Sequence, residues 1–512
     1  MSIMSVPLPR SARALRLELK RNAVPYVLPL LAAVFYFNTL RTADGFPPVW
    51  TLRASVIGDH MLFEFSAFAG GLAAWAGSRE GRRKTLDLVA TTPRAAWARL
   101  STALAGTLCW LLLAFLAGVA VVYIQTALQA TWGGPPLWPV FVGAAGVTAV
   151  TVIGFTAGVF FPGRFTAPLV AIVVLVLYQA GLHAALGVTG PPGTYGLLSP
   201  ASSTPVVDTG IYYHVAPDLS VVQVMFMGGI AVALLGVLGL ALGLRPLASA
   251  RGLRSLPAAF ARGDSRLLRA VTVALIACGV AASWPAFALA GTARLDAAGG
   301  WEIPALHSAA SDQPVPVTQS CTSSAGFQVC VHQAFSFYLD DVAAALDPVA
   351  AEIAGLPGAP ARAEEVASAG GGNPVMSGIS GNPPVFEFTA EHVGSMFGEF
   401  NGIPDAAAWR GGFQQGLLDA FLEGPSQLAG PVPLDAVQQA VEDVMLTAAG
   451  SQPLGASSGQ TAVNGKLGAA TLADISAAAQ RFAALSASAR HAWLAVHLTA
   501  LRAGTITLAQ IP

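Results

Sequence analysis

The chain has 512 residues, of which 54% are hydrophobic and 11% charged, against roughly 25% charged in an ordinary soluble domain, and its mean hydropathy is +0.60. That balance excludes a wholly water-soluble fold, and a formal net charge of −1 excludes a globally basic nucleic-acid binder. The apolar residues crowd between Val24 and Gly291, so the sequence divides into a polytopic all-α membrane bundle and a polar C-terminal domain.

The first segment, Pro9 to Asn22, interleaves Arg10, Arg13, Arg16, Lys20 and Arg21 with Leu15, Leu17 and Leu19. This suits an interfacial helix on a membrane surface or, equally, a basic anchor that only orients the first span. A span needs about 20 mostly apolar residues to cross about 30 Å of hydrocarbon. Seven candidates follow, at about 24–40, 60–78, 101–126, 138–161, 165–187, 219–244 and 270–291. The first lacks a small-residue cleavage pattern and reads as a retained signal anchor. Glu64 is the one acid placed within a span, about a turn inside the outer end of the second. An ionisable group at membrane depth is by default a functional candidate; an interfacial position beside Asp59 and His60 is the blander alternative. Gly154 with Gly158, and Gly239 with Gly243, are small-residue pairs that permit close helix contact.

Lys and Arg recur in alternate loops, as the positive-inside rule requires. Arg79, Arg82, Arg83, Lys84, Arg94 and Arg99 lie between the second and third candidates, Arg164 follows the fourth, and Arg245 to Arg269 lie between the sixth and seventh. The opposite loops are poor in base, with Arg41 and Arg53 in the first. The N-terminus is therefore expected in the cytoplasm and the C-terminal domain outside a cell membrane. In an oxidising compartment Cys321 and Cys330, with Gly326 between them to help a turn, are expected to form a disulfide. Closing so short a loop stabilises by roughly 2–3 kcal/mol. The other two cysteines, Cys109 and Cys278, fall inside apolar runs.

Beyond Gly291 the composition predicts a soluble, helix-rich α+β domain: a helix over Ala334 to Ile353 ended by Gly355, strands at Phe327 to His332 and Val385 to Thr389, and helices from about Pro404 to Ala503. Gly370 to Pro384 and Gly450 to Gly468 read as long loops. The domain carries seven bases against nineteen acids.

The segment Ser78 to Arg99 has a charged run, then Thr85, Leu86, Asp87 and Leu88, then Thr91, Thr92, Pro93 and Arg94. Leu86, Val89 and Ala90 share one helical face, and Thr92 followed by Pro93 is a helix-start signal. This pattern, with Arg79 and Glu80 ahead of it, resembles the cytoplasmic loop of type-2 ATP-binding-cassette (ABC) transporter permeases. The resemblance covers roughly residues 10 to 244. It implies an elbow segment over 1–23, a six-span permease domain over 24–244 and a coupling loop over 78–99 that docks on a separate ABC ATPase subunit. It also implies pairing with a second copy or a second permease. The basic loop 245–269, the seventh span 270–291 and the exported domain 292–512 depart from the basic pattern and look like extensions of an actinobacterial type. A permease of this kind holds no cofactor, since the partner subunit binds ATP. Gly459 to Leu467 departs from a phosphate-binding loop in spacing and in its last residue. No histidine pair has metal-protease spacing, so no metal ligand and no catalytic residue is expected. The second reading is a membrane-anchored exported binding or sensor protein; a membrane-bound hydrolase would need a catalytic constellation that the sequence lacks.

Overall fold

The computed structural model describes residues 10–83, 96–185, 193–200, 211–212, 216–249, 265–295, 301–308, 315–324, 326–367, 377–389, 406–425, 434–451 and 472–512. The N-terminal part is helical. Helix α1 (Arg10–Arg21) leads to α2 (Val24–Val34), which runs on through a π-helical segment, Phe35–Leu40, into α3 (Arg41–Gly45). Pro25 sits in the first turn of α2, where its missing N–H leaves no bond unmade. Next come α4 (Trp50–Val56), a second π-helical segment, Ile57–Met61, and α5 (Leu62–Gly77), all one continuous rod. The short α6 (Arg79–Arg82) follows, then α7 (Ala96–Gln129), α8 (Trp138–Phe160), α9 (Thr166–Ala185), α10 (Thr194–Leu198), α11 (Asp218–Ser249) and α12 (Ser265–Ala290).

Among the described residues five helices are long and apolar enough to cross a membrane: Val24–Asp44, Ala96–Gln129, Trp138–Phe160, Asp218–Ala241 and Arg269–Ala290. Thr166–Gly181 is a shorter apolar helix. Large side chains such as Leu113, Ile124, Leu169 and Ile172 stand exposed on the outside of the bundle, as in a protein whose lateral solvent is lipid. The second candidate is not confined to 60–78. Its helix begins at Trp50 and takes in Arg53 and Asp59 as well, and Arg41 likewise lies within a helix. Arg53 does not end the helix because its guanidinium is buried and donates to the Phe46 carbonyl from Nε and Nη2, both at 3.3 Å.

Glycine sets the closest crossings. A Cβ built on Gly154 would stand 2.2 Å from the Gly70 carbonyl oxygen, one on Gly158 2.2 Å from that of Ala74, and one on Gly77 2.3 Å from that of Phe155. Helices α5 and α8 therefore meet backbone to backbone, and only glycine fits. Helices α11 and α12 do the same through Gly229, Gly236 and Gly279, where a Cβ on Gly279 would lie 2.4 Å from the Ala233 nitrogen. Gly239, singled out from sequence, faces Thr272 and Trp97.

The C-terminal domain opens with a short antiparallel pair, β1 (Arg294–Leu295) and β2 (Trp301–Glu302). A five-stranded mixed sheet follows in the order β3-β4-β5-β7-β6, from β3 (Gln319–Ser324), β4 (Phe327–His332), β5 (Arg362–Val366), β6 (Ser377–Ser380) and β7 (Val385–Thr389). Strands β4, β5 and β7 run parallel, and the two edges are antiparallel. Gly326, at φ +93°, turns β3 into β4, and the Cys321–Cys330 disulfide joins directly opposed residues of that hairpin. The predicted helix over 334–353 divides into a 3-10 segment, Gln333–Tyr338, and α13 (Leu339–Ile353). It carries the chain from β4 across to the parallel β5, a step that a tight turn cannot make. Helices α14 (Ala406–Glu423), α15 (Ala436–Ala448), α16 (Leu472–Ala483) and α17 (Ala487–Arg502) complete the domain. Asp435 starts α15 with a capping box closed by Gln438, which satisfies amides that no helical carbonyl can reach.

The sheet and helices bury Val329, Val331, Phe335, Leu346, Phe386, Phe388, Phe413 and Phe421 in one core. That core does not stop at the domain boundary. Val49, Leu52, Ile211 and Tyr212 belong to it, and Phe46 and Trp132 pack against it, so the connections at one end of the bundle form part of the C-terminal domain's own interior.

Gly158→Val is expected to separate α5 from α8 and lower the thermal midpoint of the detergent-solubilised protein, with a loss of about 1–3 kcal/mol or more from overpacking. Gly134→Ala, at a position with open space around it, should leave the midpoint unchanged. Equal midpoints for Gly158→Val and the parent would refute the backbone contact.

Candidate functional site

The end of the bundle that carries the basic residues is built around α1. Arg79, just beyond α5, donates from both guanidinium arms to the carboxylate of Glu18, at 3.0 and 3.1 Å. Glu80 turns the other way and meets Arg99 at the start of α7, again through two contacts, both 3.5 Å. Helix α1 lies tightly on α7: a Cβ on Gly106 would be 3.3 Å from that of Glu18. Trp110 Nε1 donates to the Leu19 carbonyl at 3.0 Å, and the buried Asn22 amide donates to Thr107 Oγ1 at 3.1 Å. Arg82 lies over the Trp75 ring, 3.3 Å from its centroid, and Gly81 passes Pro162 with no room for a side chain.

The effect is a clamp that fixes both ends of the segment 79–99. Of the residues assigned to the coupling loop, Arg79 and Glu80 are its described members; Thr85, Leu86, Asp87, Leu88, Thr91, Thr92, Pro93 and Arg94 lie outside the described residues. Glu18, Asn22, Thr107 and Trp110 were missed from sequence. One signal was available, because Glu18 is the single acid in a run of five bases.

Glu64 accepts a hydrogen bond from the Asn38 side chain. It is not a turn inside the end of its helix. It stands fourteen residues from Trp50, about 21 Å along the rod at 1.5 Å per residue, and Asn38 stands fourteen residues from Val24. Each lies in or just after a π-helical segment, a local widening that often occurs at functional positions. Nearby, Tyr178 of α9 donates to the Gly58 carbonyl at 2.6 Å. Among the described residues no group of three or more His, Cys, Asp or Glu could hold a metal ion.

Compared with protein-family models, with curated proteins and with solved structures, the chain matches none.

At the opposite end the C-terminal domain is tied to the bundle by polar contacts as well as by its core. Asp218, at the start of α11, accepts from the Ile303 amide at 2.9 Å and contacts His307 Nδ1 at 2.8 Å. Thr131 donates to the Gln333 carbonyl at 2.8 Å. A cavity of about 430 Å³ opens beside this junction, lined by Tyr212, Val315, Val317, Gln319, Glu364, Glu365, Val366 and Ala367. Its size falls in the range of small-molecule sites.

Inside the domain, Asp419 of α14 and Glu442 of α15 form a buried carboxyl pair. Burial, and then repulsion from neighbouring carboxylates, raises both, Asp419 to about 7 and Glu442 well above its ordinary value. Two buried carboxyls in contact cannot both ionise, so the pair retains a proton. A folded-state value above the unfolded one gives stability that is complete below about pH 4 and is lost as pH rises toward 7 and beyond.

Asn22→Ala, which leaves a buried hydroxyl without its donor, should destabilise by about 1–2 kcal/mol, whereas Glu18→Ala, which opens a partly exposed ion pair, should remove less than about 1 kcal/mol. Thermal unfolding in detergent ranks the two, and the reverse order would contradict the clamp as described. For the carboxyl pair, hydrogen exchange over residues 406–448 of the full chain should quicken from pH 5 to pH 8 after correction for the intrinsic rate. Asp419→Asn should flatten that dependence; an unchanged slope would place the proton elsewhere.

Proposed function

We propose that the chain is the membrane-spanning permease subunit of an ABC-type transporter, an exporter, driven by a separate ATPase subunit and working as a pair of permease subunits. In this reading seven helices span a cell membrane, the N-terminus and the 79–99 loop lie in the cytoplasm, and the C-terminal domain lies outside. The observation that carries it is the double clamp on the loop. Arg79 is held by Glu18 on α1, and Glu80 holds Arg99 on α7. Displacement of a loop fixed at both ends is transmitted to α1, α5 and α7 together, as ATP-driven movement of a transport path requires. The alternation of basic and base-poor loops supports the sidedness, and the disulfide fits an oxidising compartment for the C-terminal domain. No cofactor or nucleic acid enters this reading.

A second reading makes the C-terminal domain a ligand-binding or sensor module that the bundle anchors. What favours it is the 430 Å³ cavity with Glu364 and Glu365 in its wall.

Affinity purification of the full-length protein in mild detergent, followed by mass spectrometry, decides between them. An ABC ATPase is expected to co-purify, and to be lost when Leu86 and Asp87 are both changed to Ala although the variant still inserts. Reproducible absence of an ATPase from the parent protein would overturn the permease reading.

A further inference from the structure

The seam between the bundle and the C-terminal domain is closed by a histidine. His332 ends β4, at the first residue before the 3-10 segment, and is fully buried at 0% exposure. Its Nδ1 accepts the Ala334 amide at 3.0 Å. An acceptor nitrogen carries no proton, so the neutral ring must hold its hydrogen on Nε2. Nε2 is itself buried and makes no hydrogen bond.

Both faces of the seam meet on this ring. Trp132, from the connection between α7 and α8, packs edge to face at 4.7 Å and 87°. Tyr212, from the connection before α11, packs at 5.1 Å and 60°. Beside them Thr131 bonds the carbonyl of Gln333, the next residue, and the backbone carbonyl of Tyr212 accepts the Val315 amide at 2.7 Å. The imidazole is thus the domain's contribution to an aromatic box whose walls belong to the bundle.

We propose that His332 is a proton-operated latch: protonation of its ring releases the C-terminal domain from the Trp132 and Tyr212 connections.

Two changes drive the release. A proton on Nδ1 sets one donor against another at Ala334, so the bond that orients the ring is lost. The charge also arrives in a box of two aromatic rings with no acceptor on Nε2, where burial disfavours the ionised form. Other charged groups near the seam act in both directions. Glu365 of β5, whose Oε2 accepts the His332 amide at 2.8 Å, attracts an imidazolium, while Arg53 of α4, close to Tyr338, repels one. Tyr212 and Tyr338 are phenols, and burial holds Tyr338 neutral. Burial prevails for His332, whose affinity for a proton is lowered from the ordinary value.

A base with a depressed value in the docked state gives docking that is complete above the undocked value, about 6.5, and weakens as pH falls below it. If the docked ring stays neutral, the docking equilibrium shifts by at most about thirtyfold between pH 7.5 and pH 5. The opposite dependence of the Asp419 and Glu442 pair keeps the two effects separable. The latch does not depend on what the bundle carries.

Hydrogen exchange by mass spectrometry on the full-length protein in lipid nanodiscs tests this, with peptides over 131–137 and 327–338 reporting the seam and peptides over 339–353 the domain core. Seam protection, corrected for intrinsic rate, is expected to fall by up to about thirtyfold from pH 7.5 to pH 5 while the core stays protected. His332→Asn, which keeps an acceptor near Ala334 but cannot be protonated, is expected to hold its seam protection at both pH values; if it does not fold, His332→Gln serves the same comparison. Flat protection in the parent protein, or an equal fall in a folded variant, would overturn the latch.

Discussion

The backbone-to-backbone crossing of α5 on α8 is the constraint from which the rest of the bundle follows. At Gly70, Ala74 and Gly77 on one helix and Gly154 and Gly158 on the other, carbonyl oxygens occupy the space that side chains would fill. Such contact fixes both the separation and the rotation of the two helices. Without water between the helices, close van der Waals packing of this kind is a main source of association in a membrane.

What is pinned at this crossing is a long rod. From Trp50 to Gly77 the chain is helical for 28 residues without a break, about 42 Å at 1.5 Å per residue. One end carries Leu52 and Arg53 into the core shared with the C-terminal domain. The other end delivers Arg79 to Glu18. The clamp and the seam are therefore two ends of one element, and the polar pair Asn38 and Glu64 lies between them beside the π-helical segments. A helix that is rigid along its axis but widened by π-turns at one level can carry displacement between its ends and still adjust locally.

The two ends are held by different physics. The clamp is polar and partly exposed, with the Arg79 and Glu18 side chains 36% and 24% accessible, so its ion pairs contribute little each and position the loop more than they stabilise it. The seam is more deeply buried. His332, Tyr212, Val49 and Leu52 are all buried there, so a change of charge counts for more than at the clamp. Burial acts on Asp419 and Glu442 in the same way, and in every case it favours the neutral form.

By itself the sequence determined the helical membrane class, the alternation of basic and base-poor connections, the strands at Phe327 to His332 and Val385 to Thr389, and the pairing of Cys321 with Cys330. All of these depend on local composition or short spacing, which physics converts directly into burial, pleat or a closed loop. The start of the rod was not legible, because Arg53 and Asp59 look like a loop until the Phe46 carbonyl and the domain above are in place to receive Arg53. Neither was the depth of Glu64, which follows from where the rod begins. Tertiary structure alone decided that Gly70 and Ala74 answer Gly154 and Gly158, that Glu18 and Asn22 reach α7, and that residues as far apart as Val49, Trp132, Tyr212 and His332 share one core. Contacts between distant segments leave no periodic trace in a single chain; only the packing that removes them from water selects which of the possible partners meet.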